Sequence, residues 1–398
     1  MAADRPLILS IVGTRPEAIK LSPVIRALAE RAAFTQKVIL TGQHSGLAPS
    51  FAFLPADAII GLPVNLSEQT AGEVRDTLRY ALCQRFLRLR PDLVLVQGDT
   101  TSALAAAFAA KDIGVPLGHV EAGLRSGDLQ QPWPEEGNRI AIDQLADILF
   151  APSSDAAANL AGDAQVGGNV LVTGNSGIDA LLEIRGDLPA VPPGEGGRRK
   201  ILVTCHRREN RGDVLRGIAA ALRRLVDTLP VAIVFPLHPN RHIRRLVVRL
   251  LTGAEHVTLL EPLDYPEMVA QLSDCWLVLT DSGGLQEEAP ALGKPVLLLR
   301  ETTERGEAVA SENIALVGTD PDRIVEAVTA LHDDPARYAR MATPAFPFGD
   351  GHAAPRIADA IEAFLGARAP RGDLAPPAAI AHGAGDGAGL DPFELAQP

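Results

Sequence analysis

Short apolar runs alternate with segments of helical periodicity along most of the chain. Continuous apolar runs of this kind are typical of strands that are buried on both faces of a parallel sheet. They occur, in chain order, at residues 7–12, 36–41, 92–96, 116–120, 147–150, 169–172, 200–205, 231–235, 256–260, 275–279, 295–299 and 313–317. Helical segments fall between most of these runs. The pattern therefore predicts an α/β fold of two doubly wound, Rossmann-like domains that face each other across a cleft.

One part of the first half departs from this alternation. Residues 45–66 have no clear period, and we predict a loop with short helical pieces there. The segment from Ser67 to Leu89 is amphipathic, and we predict a helix with Ser67 as its N-cap. Regular alternation of strands and helices follows this helix.

Changes in composition mark the domain boundaries. Residues 186–199 are rich in Pro and Gly and lack periodicity, which is typical of a linker. We therefore predict an N-terminal domain at residues 1–185 and a C-terminal domain at residues 200–348. A final helix is predicted at residues 353–365, and the Ala-, Pro- and Gly-rich residues 367–398 are expected to be mostly disordered.

Composition and charge narrow the class of protein. A chain of 398 residues with 46% hydrophobic and 22% charged residues is typical of a soluble globular protein with a substantial core. The net charge of −12 argues against a general nucleic-acid binder, which needs a basic face. Cys83, Cys205 and Cys275 are widely spaced, so we expect buried free thiols in a reducing compartment. No signal peptide or membrane-spanning run is recognised, and we expect a cytoplasmic protein without membrane insertion.

Acidic side chains cluster where predicted strands of the first half end. Asp99 follows one buried strand, and Glu121 directly follows the next. Glu135 and Glu136 come at the predicted start of a helix. Because ligands bind at the carboxyl ends of parallel strands, these positions predict a ligand-binding cleft lined by acidic side chains.

Most of these acidic residues also have a simpler structural explanation. Asp99 or Thr100 could be the N-cap of the helix that follows. Glu135 and Glu136 could stabilise a first helical turn, and Glu135 is also spaced four residues from Arg139. These explanations do not account for the His, Glu, Arg and Asp residues that directly precede the pair.

Two turns have the features of anion sites. Arg15 and Lys20 flank the start of a helix, whose amide groups already attract anions. In the second half, Ser282, Gly283 and Gly284 begin a helix, and the glycines expose backbone N–H groups that could bind a diphosphate. The alternative is ordinary turn chemistry, which would account for the glycines alone.

Three further residues extend this interpretation. Glu288 lies one turn along the same helix and could accept hydrogen bonds from ribose hydroxyls. Arg305 adds positive charge nearby, and His206 follows the first strand of the second half, where it could face an anion or be structural. No Gly-x-Gly-x-x-Gly, P-loop or His-Glu-x-x-His motif occurs, so neither a nicotinamide cofactor nor a metal is predicted.

Many of these residues belong to motifs that occur together in a known family. The motifs are, in order, GTRPEAIKLSPVI, TGQH, QGDTTSALAAAFAA, GHVEAGLRSGD, PWPEEGNR, VTGNSGIDAL, TCHRREN, LHPN, TDSGGLQEEAPALGKPVL and ETTERGEAV. From about residue 7 to residue 365 the chain resembles the non-hydrolysing UDP-N-acetylglucosamine (UDP-GlcNAc) 2-epimerases. The resemblance implies a glycosyltransferase-B-like fold, with the final helix packed back on the first domain. It also implies that no cofactor or metal is required.

The resemblance assigns a role to each matching position. The implied catalytic residues are Asp99, Glu121, Glu135 and His206, the last beside the diphosphate. The implied substrate-binding residues are Arg15, Lys20, Ser282, Gly283, Gly284, Glu288 and Arg305. The implied reaction is reversible conversion of UDP-GlcNAc to UDP-N-acetylmannosamine (UDP-ManNAc), in a homodimer that supplies precursors of cell-surface polysaccharide.

Four alternatives remain at the level of sequence. A hydrolysing 2-epimerase would release free N-acetylmannosamine and UDP. An epimerase of a modified UDP-sugar would share these motifs. A glycosyltransferase of the same fold would need an acceptor, and a catalytically inactive nucleotide-sugar sensor would not need the acidic set that this sequence retains.

Overall fold

The structure, a computed structural model, describes residues 5–188, 197–205, 212–238, 240–303 and 305–368. The chain divides into two compact units. The first comprises the residues up to Ala180 together with those from Gly351 onward, and the second comprises Leu181–Asp350. The first unit is therefore discontinuous in sequence.

A seven-stranded parallel sheet forms the centre of the first unit. Its strands are β1 (Leu7–Val12), β2 (Thr35–Leu40), β3 (Ile59–Gly61), β4 (Leu93–Gln97), β5 (Leu117–Val120), β6 (Ile148–Ala151) and β7 (Asn169–Val172). They lie in the order β3-β2-β1-β4-β5-β6-β7. Its helices are α1 (Arg15–Ala29), α2 (Ala71–Leu89), α3 (Thr101–Asp112), α4 (Glu135–Leu145), α5 (Ser154–Ala161), the start of α6 (Ser176–Asp187) and, after the second unit, α14 (Ala353–Gly366).

Two apolar layers cover the faces of this sheet. One layer joins the strands to α2, α3, α4 and α5 through buried aliphatic side chains. The other joins them to α1 and α14, and it includes Ile357 and Ile361 of α14. Arg31, just after α1, pairs with Asp359 at 2.5 Å and Glu362 at 2.6 Å on the same helix. Helix α14 therefore completes the core of the first unit.

The second unit is built in the same way. Its strands are β8 (Arg199–Thr204), β9 (Val231–Pro236), β10 (Val257–Leu260), β11 (Leu277–Thr280), β12 (Val296–Leu298) and β13 (Ile314–Leu316). They form a parallel sheet in the order β10-β9-β8-β11-β12-β13. Its helices are α7 (Asp213–Thr228), α8 (Arg241–Leu251), α9 (Tyr265–Asp274), α10 (Gly283–Ala291), α11 (Gly306–Ala310), α12 (Pro321–Asp333) and α13 (Pro335–Met341). The predicted α/β class with two doubly wound parallel sheets is confirmed.

Two sequence predictions in the first unit were wrong. The segment 45–66 contains a strand, β3, beside two short 3₁₀ turns, Ala48–Phe51 and Ala56–Ala58. Helix α2 begins after Thr70, not after Ser67. Thr70 has Glu73 three residues later, and the Glu73 carboxylate accepts the Thr70 backbone N–H at 2.8 Å. This reciprocal capping box is what Ser67 lacks, because Thr70 occupies its third following position.

Other predictions concern single residues or the chain termini. Cys83, Cys205 and Cys275 are buried free thiols, as predicted. In the described part of the chain, no helix combines the length and apolar character needed to cross a bilayer. Most of the predicted linker and nearly all of the predicted disordered tail lie outside the described residues.

Candidate active site

The acidic residues of the first unit lie at the carboxyl edge of the central strands. The strand order changes direction between β1 and β4, which is where doubly wound sheets bind ligands. Strands β4 and β5 are neighbours, with Gln97 opposite Val120. Because Asp99 and Glu121 come just after these two positions, both emerge at the same edge of the sheet.

Glu121 is held in place by its backbone and by its carboxylate. Its φ of 68° lies in the left-handed region, which is uncommon for a residue with a side chain. The carboxylate forms an ion pair with Lys20 and accepts a hydrogen bond from Gln97. The Nδ2 atom of Asn175 lies 3.4 Å from Oε1. Lys20 and Glu121, two predicted site residues 101 positions apart, are therefore in direct contact.

Asp99 is held by the first turns of α4. Arg139 donates to Asp99 Oδ2 from Nη2 at 2.5 Å and from Nε at 3.2 Å. Asn138 donates to the Asp99 carbonyl at 2.8 Å. Thr100, not Asp99, is the N-cap of α3, since its hydroxyl accepts the N–H of Ala103. The Asp99 carboxylate is thus not used as a helix cap.

Glu135 and Glu136 are adjacent but have different surroundings. Glu136 is buried and accepts hydrogen bonds from the N–H groups of Ser126 at 2.9 Å and Gly127 at 3.2 Å. It also pairs with Arg139 at 3.0 Å. Glu135 is half-buried, and its Oε2 atom is buried without a hydrogen-bond partner among the described residues. Glu136 therefore stabilises a loop, whereas one carboxylate oxygen of Glu135 has no hydrogen-bond partner among the described residues.

The turn after β1 is organised by a carboxylate that sequence reasoning did not select. Glu17 is buried and accepts the N–H groups of Gly13 at 2.9 Å and Thr14 at 2.5 Å, and the hydroxyl of Thr100 at 2.7 Å. Gly13 lies so close to α3 that an added Cβ would be 2.1 Å from Ser102 Oγ. Burial raises the pKa of Glu17 despite these hydrogen bonds, which act in the opposite direction.

Replacing Glu17 with Gln is expected to change how the free energy of unfolding depends on pH. The unfolded carboxyl loses its proton near its ordinary pKa of 4.5, whereas the folded one keeps it to higher pH. Between the two values the folded state binds more protons, so this carboxyl stabilises the fold at low pH and that contribution is lost as pH rises. Urea unfolding across this pH range should show Glu17→Gln gaining stability relative to the wild type with rising pH.

Glu73 provides a control of opposite sign. It is exposed, and hydrogen bonds from Thr70, the backbone N–H first, lower its pKa. Its stabilising contribution is present above the unfolded pKa and is lost as pH falls. Glu73→Gln should therefore lose stability relative to the wild type as pH rises. A pH-independent difference between Glu17→Gln and the wild type would contradict the expected effect of burial.

The two residues of the first unit that were predicted to bind an anion have different surroundings. Lys20 contacts Glu121, as described above. Arg15 is exposed at the first position of α1, and its backbone N–H donates to His44 Nδ1 at 3.3 Å. The Arg15 side chain therefore lies at a helix N-terminus whose first N–H groups already donate to Glu17 and His44.

The second unit has its own loop at the switch in strand order, after β11. Ser282 is the N-cap residue of α10, and its backbone N–H donates to Thr280 Oγ1 at 2.9 Å. An added Cβ on Gly283 would lie 3.0 Å from the Arg305 guanidinium, whereas one on Gly284 would meet nothing within 4 Å. The loop therefore leaves the backbone of Gly284 open and places Arg305 beside Gly283.

Two acidic residues on α10 have separate partners. Glu287 is buried and pairs with Arg305 at 2.6 Å, which orients the guanidinium. Glu288 accepts a hydrogen bond from the Tyr265 hydroxyl at 3.0 Å. Burial, and then the Glu288 charge, raise the pKa of Tyr265, so the phenol remains a donor to Glu288 at neutral pH.

One predicted site residue lies outside the described part of the chain, and three partners of the acidic set were not predicted. His206 lies outside the described residues. Within the described ranges, no group of three His, Cys, Asp or Glu side chains is placed to hold a metal. Sequence reasoning missed Gln97, Asn138 and Asn175 as partners of the acidic set. Each lies in a motif quoted above, but its partner is distant in sequence.

The chain is similar to known proteins over most of its length. A family model described as UDP-N-acetylglucosamine 2-epimerase matches residues 26–362. The UDP-N-acetylglucosamine 2-epimerase of Escherichia coli K12 is 41% identical over 376 residues, covering 89% of this chain and 98% of that protein. The crystal structure of the Neisseria meningitidis UDP-GlcNAc 2-epimerase bound to UDP-GlcNAc is similar with a TM-score of 0.83 and 38% identity, covering 90% of this chain and 100% of that one.

A more distant structure supports the fold class alone. A glycosyltransferase of kitacinnamycin has a TM-score of 0.58 and 14% identity, covering 90% of this chain and 99% of that one. At this identity the similarity shows a shared fold and carries no information on activity. It agrees with the predicted glycosyltransferase-B-like class.

Proposed function

The chain belongs to the UDP-N-acetylglucosamine 2-epimerase family, and from this premise we propose that it interconverts UDP-GlcNAc and UDP-ManNAc without net hydrolysis. The reaction proceeds by elimination of UDP to give 2-acetamidoglucal, followed by re-addition of UDP. The two outcomes of re-addition differ in the face of the sugar that receives the proton at C2.

The observation that carries this proposal is the acidic set at the carboxyl edge of the first sheet. Asp99, Glu121 and Glu135 come from two neighbouring strand ends and from the start of α4, which also holds Asp99. Asp99 and Glu121 have cationic partners, whereas Glu135 keeps an unpaired buried oxygen. This combination provides both fixed negative charge and a group that can exchange a proton.

The chemistry explains why carboxylates are needed. The hydrogen at C2 of the sugar is not acidic, so direct removal as a proton is unfavourable. Departure of UDP from C1 creates positive charge on the ring, which nearby carboxylates stabilise and which makes removal of the C2 proton feasible. Elimination breaks the C1–O bond to UDP and the C2–H bond. Re-addition forms both bonds again, so the product is an isomer of the substrate.

The surroundings of the acidic residues divide the work between them. Glu121 already accepts hydrogen bonds from Lys20, Gln97 and Asn175, so its fixed charge is suited to stabilising the cationic ring. Glu135 is the better proton carrier because its Oε2 atom is unpartnered. Moving the C2 proton from one face of the sugar to the other requires a second carboxylate, which Asp99 supplies. The alternative is that the bound glucal rotates between elimination and re-addition.

The second unit is proposed to hold the nucleotide. Backbone N–H groups at the start of α10, beside Ser282 and Gly284, suit a diphosphate. Arg305 adds positive charge at Gly283, and Glu288 could accept hydrogen bonds from the ribose. As the family resemblance implies, His206 is proposed to lie beside the diphosphate.

Incubation with UDP-GlcNAc in deuterated water tests this proposal. NMR spectra should show a growing UDP-ManNAc signal and deuterium at C2 of both UDP-sugars, because the proton passes through an exchangeable carboxyl group. Accumulation of free N-acetylmannosamine and UDP would instead identify a hydrolysing enzyme. Recovery of UDP-GlcNAc with neither epimerisation nor deuterium would exclude both.

The biological setting extends the same proposal. We propose that the enzyme is a cytoplasmic homodimer whose product supplies glycosyltransferases that build cell-surface polysaccharide. The support for this is the family resemblance. A nucleotide-activated sugar is also the form in which glycosyl donors are used.

A further inference from the structure

A buried histidine directly supports the loop that carries Asp99. His119 lies in β5 and is fully buried, as is Asp143 in α4. Its Nδ1 atom is 2.7 Å from Asp143 Oδ1, and its Nε2 atom is 2.8 Å from the carbonyl oxygen of Gly98. Gly98 immediately precedes Asp99. The imidazole therefore joins a buried carboxylate to the backbone of the active-site loop.

The partners determine which atoms of the ring carry hydrogen. A carbonyl oxygen can only accept, so Nε2 donates to Gly98. The Asp143 carboxylate also accepts from Arg125 Nη1 at 2.6 Å and from the N–H of Gly123 at 3.2 Å, both at Oδ2. Arg125 and Gly123 hold this carboxylate at Oδ2, so its Oδ1 atom fixes the orientation of the ring through Nδ1. The hydrogen on Nε2 is therefore the one that reaches the active-site loop.

Two hydrogen bonds to β5 fix the orientation of Gly98. Gly98 adopts a φ of 66°, which a residue with a side chain rarely adopts. Its N–H donates to the Val120 carbonyl at 3.0 Å, and its carbonyl accepts from His119. Both ends of this residue are thus fixed to β5, and the next residue is Asp99.

We propose that His119 is a positioning residue for Asp99, and that Asp143 holds its ring in the orientation that donates to Gly98. This inference rests on the proposed function, because it takes Asp99 to be a catalytic carboxylate. A shift of about 1 Å in a reacting group can lower the rate about a hundredfold. Loss of the Nε2 hydrogen bond should therefore affect kcat more than substrate binding.

Two substitutions separate the two hydrogen bonds of the ring. In His119→Gln the side-chain amide nitrogen can occupy the place of Nε2 and donate to Gly98. In His119→Asn the shorter side chain places its amide nitrogen near Nδ1, where it can reach only Asp143. Both variants remove an aromatic ring from the same buried site, so a purely structural role predicts similar losses of stability and activity.

The expected result is a difference in kcat between the two variants. His119→Gln should retain kcat within about tenfold of the wild type, whereas His119→Asn should lose about a hundredfold, with KM changed much less in both. Thermal unfolding and calorimetric titration with UDP check that both are folded and bind nucleotide. Equal kcat values for the two folded variants would overturn the inference.

A measurement on the unaltered protein does not depend on the variants folding. With ¹⁵N-labelled histidine, the Nε2 atom of His119 should carry a hydrogen, assigned by the loss of its signal in His119→Gln. An Nε2 atom without hydrogen would overturn the inference. If the proposed function itself were wrong, the wild-type enzyme would exchange no deuterium into UDP-GlcNAc. That outcome is distinct from equal kcat values in the two variants and from an Nε2 atom without hydrogen.

Discussion

Replacing Glu135 with Gln is expected to lower kcat for epimerisation by about a hundredfold to ten-thousandfold, the range typical of a lost general acid–base. Glu135 Oε2 is buried without a hydrogen-bond partner among the described residues, so the amide breaks no contact of that atom. The folded protein should therefore keep its stability and its affinity for UDP. Stopped assays of UDP-ManNAc formation, with calorimetric titration of UDP, measure the two effects separately.

The neighbouring residue provides a matched control. Glu136→Gln makes the same chemical change one position along α4, but Glu136 accepts hydrogen bonds from Ser126, Gly127 and Arg139. An amide nitrogen facing these donors should lower the free energy of unfolding by about 1–3 kcal/mol. Near-native turnover in a folded Glu135→Gln enzyme would exclude Glu135 as the proton carrier.

Replacing Arg139 with Met is expected to affect stability and activity together. The guanidinium bridges Asp99 and Glu136, and only 9% of its side chain is exposed. Removing one partner from a buried ion pair costs about 3–5 kcal/mol, because charge remains without compensation. Asp99 would also lose its orientation, so kcat should fall in the fraction that stays folded. Urea unfolding and active-site titration with UDP separate these losses.

Arg31 is the control for this change. It also bridges two carboxylates, Asp359 and Glu362, but their side chains are 72% and 52% exposed. Exposed ion pairs are worth at most about 1 kcal/mol, so Arg31→Met should be nearly neutral for stability and should leave kcat unchanged. If Arg139→Met is no more destabilising than Arg31→Met, the buried ion pairs of Arg139 contribute no more to the free energy of unfolding than the exposed pairs of Arg31.

The sequence predicted the fold well because the relevant signals are local. Parallel strands that are buried on both faces appear as continuous apolar runs, and all but one strand could be located from them. The exception, β3 (Ile59–Gly61), ends in a glycine and is followed closely by Pro63, so no clear period marks it as a strand. The start of α2 was misplaced because Ser67 was predicted to be the N-cap. The N-cap is Thr70, which forms a capping box with Glu73.

The candidate site was harder to predict because its contacts are not local. Asp99 and Glu121 could be selected from their positions after strands, whereas Glu135 was distinguished from Glu136 only by the family resemblance. Their partners could not be selected in this way, because Lys20 lies 101 positions from Glu121 and Arg139 lies 40 from Asp99. The i,i+4 spacing suggested a pair between Glu135 and Arg139, whereas the guanidinium bridges Asp99 and Glu136. Local spacing therefore offered a plausible pair, and the tertiary fold brought a different one together.

The discontinuity of the first unit affects the order in which the protein can fold during translation. Strands β1 to β7 leave the ribosome first, but α14, which supplies Ile357 and Ile361 to their apolar layer, follows the whole of Leu181–Asp350. The second unit is continuous and can fold as soon as it has emerged. The nascent first unit must meanwhile keep an apolar face uncovered. The half of the enzyme that is made first is therefore completed last.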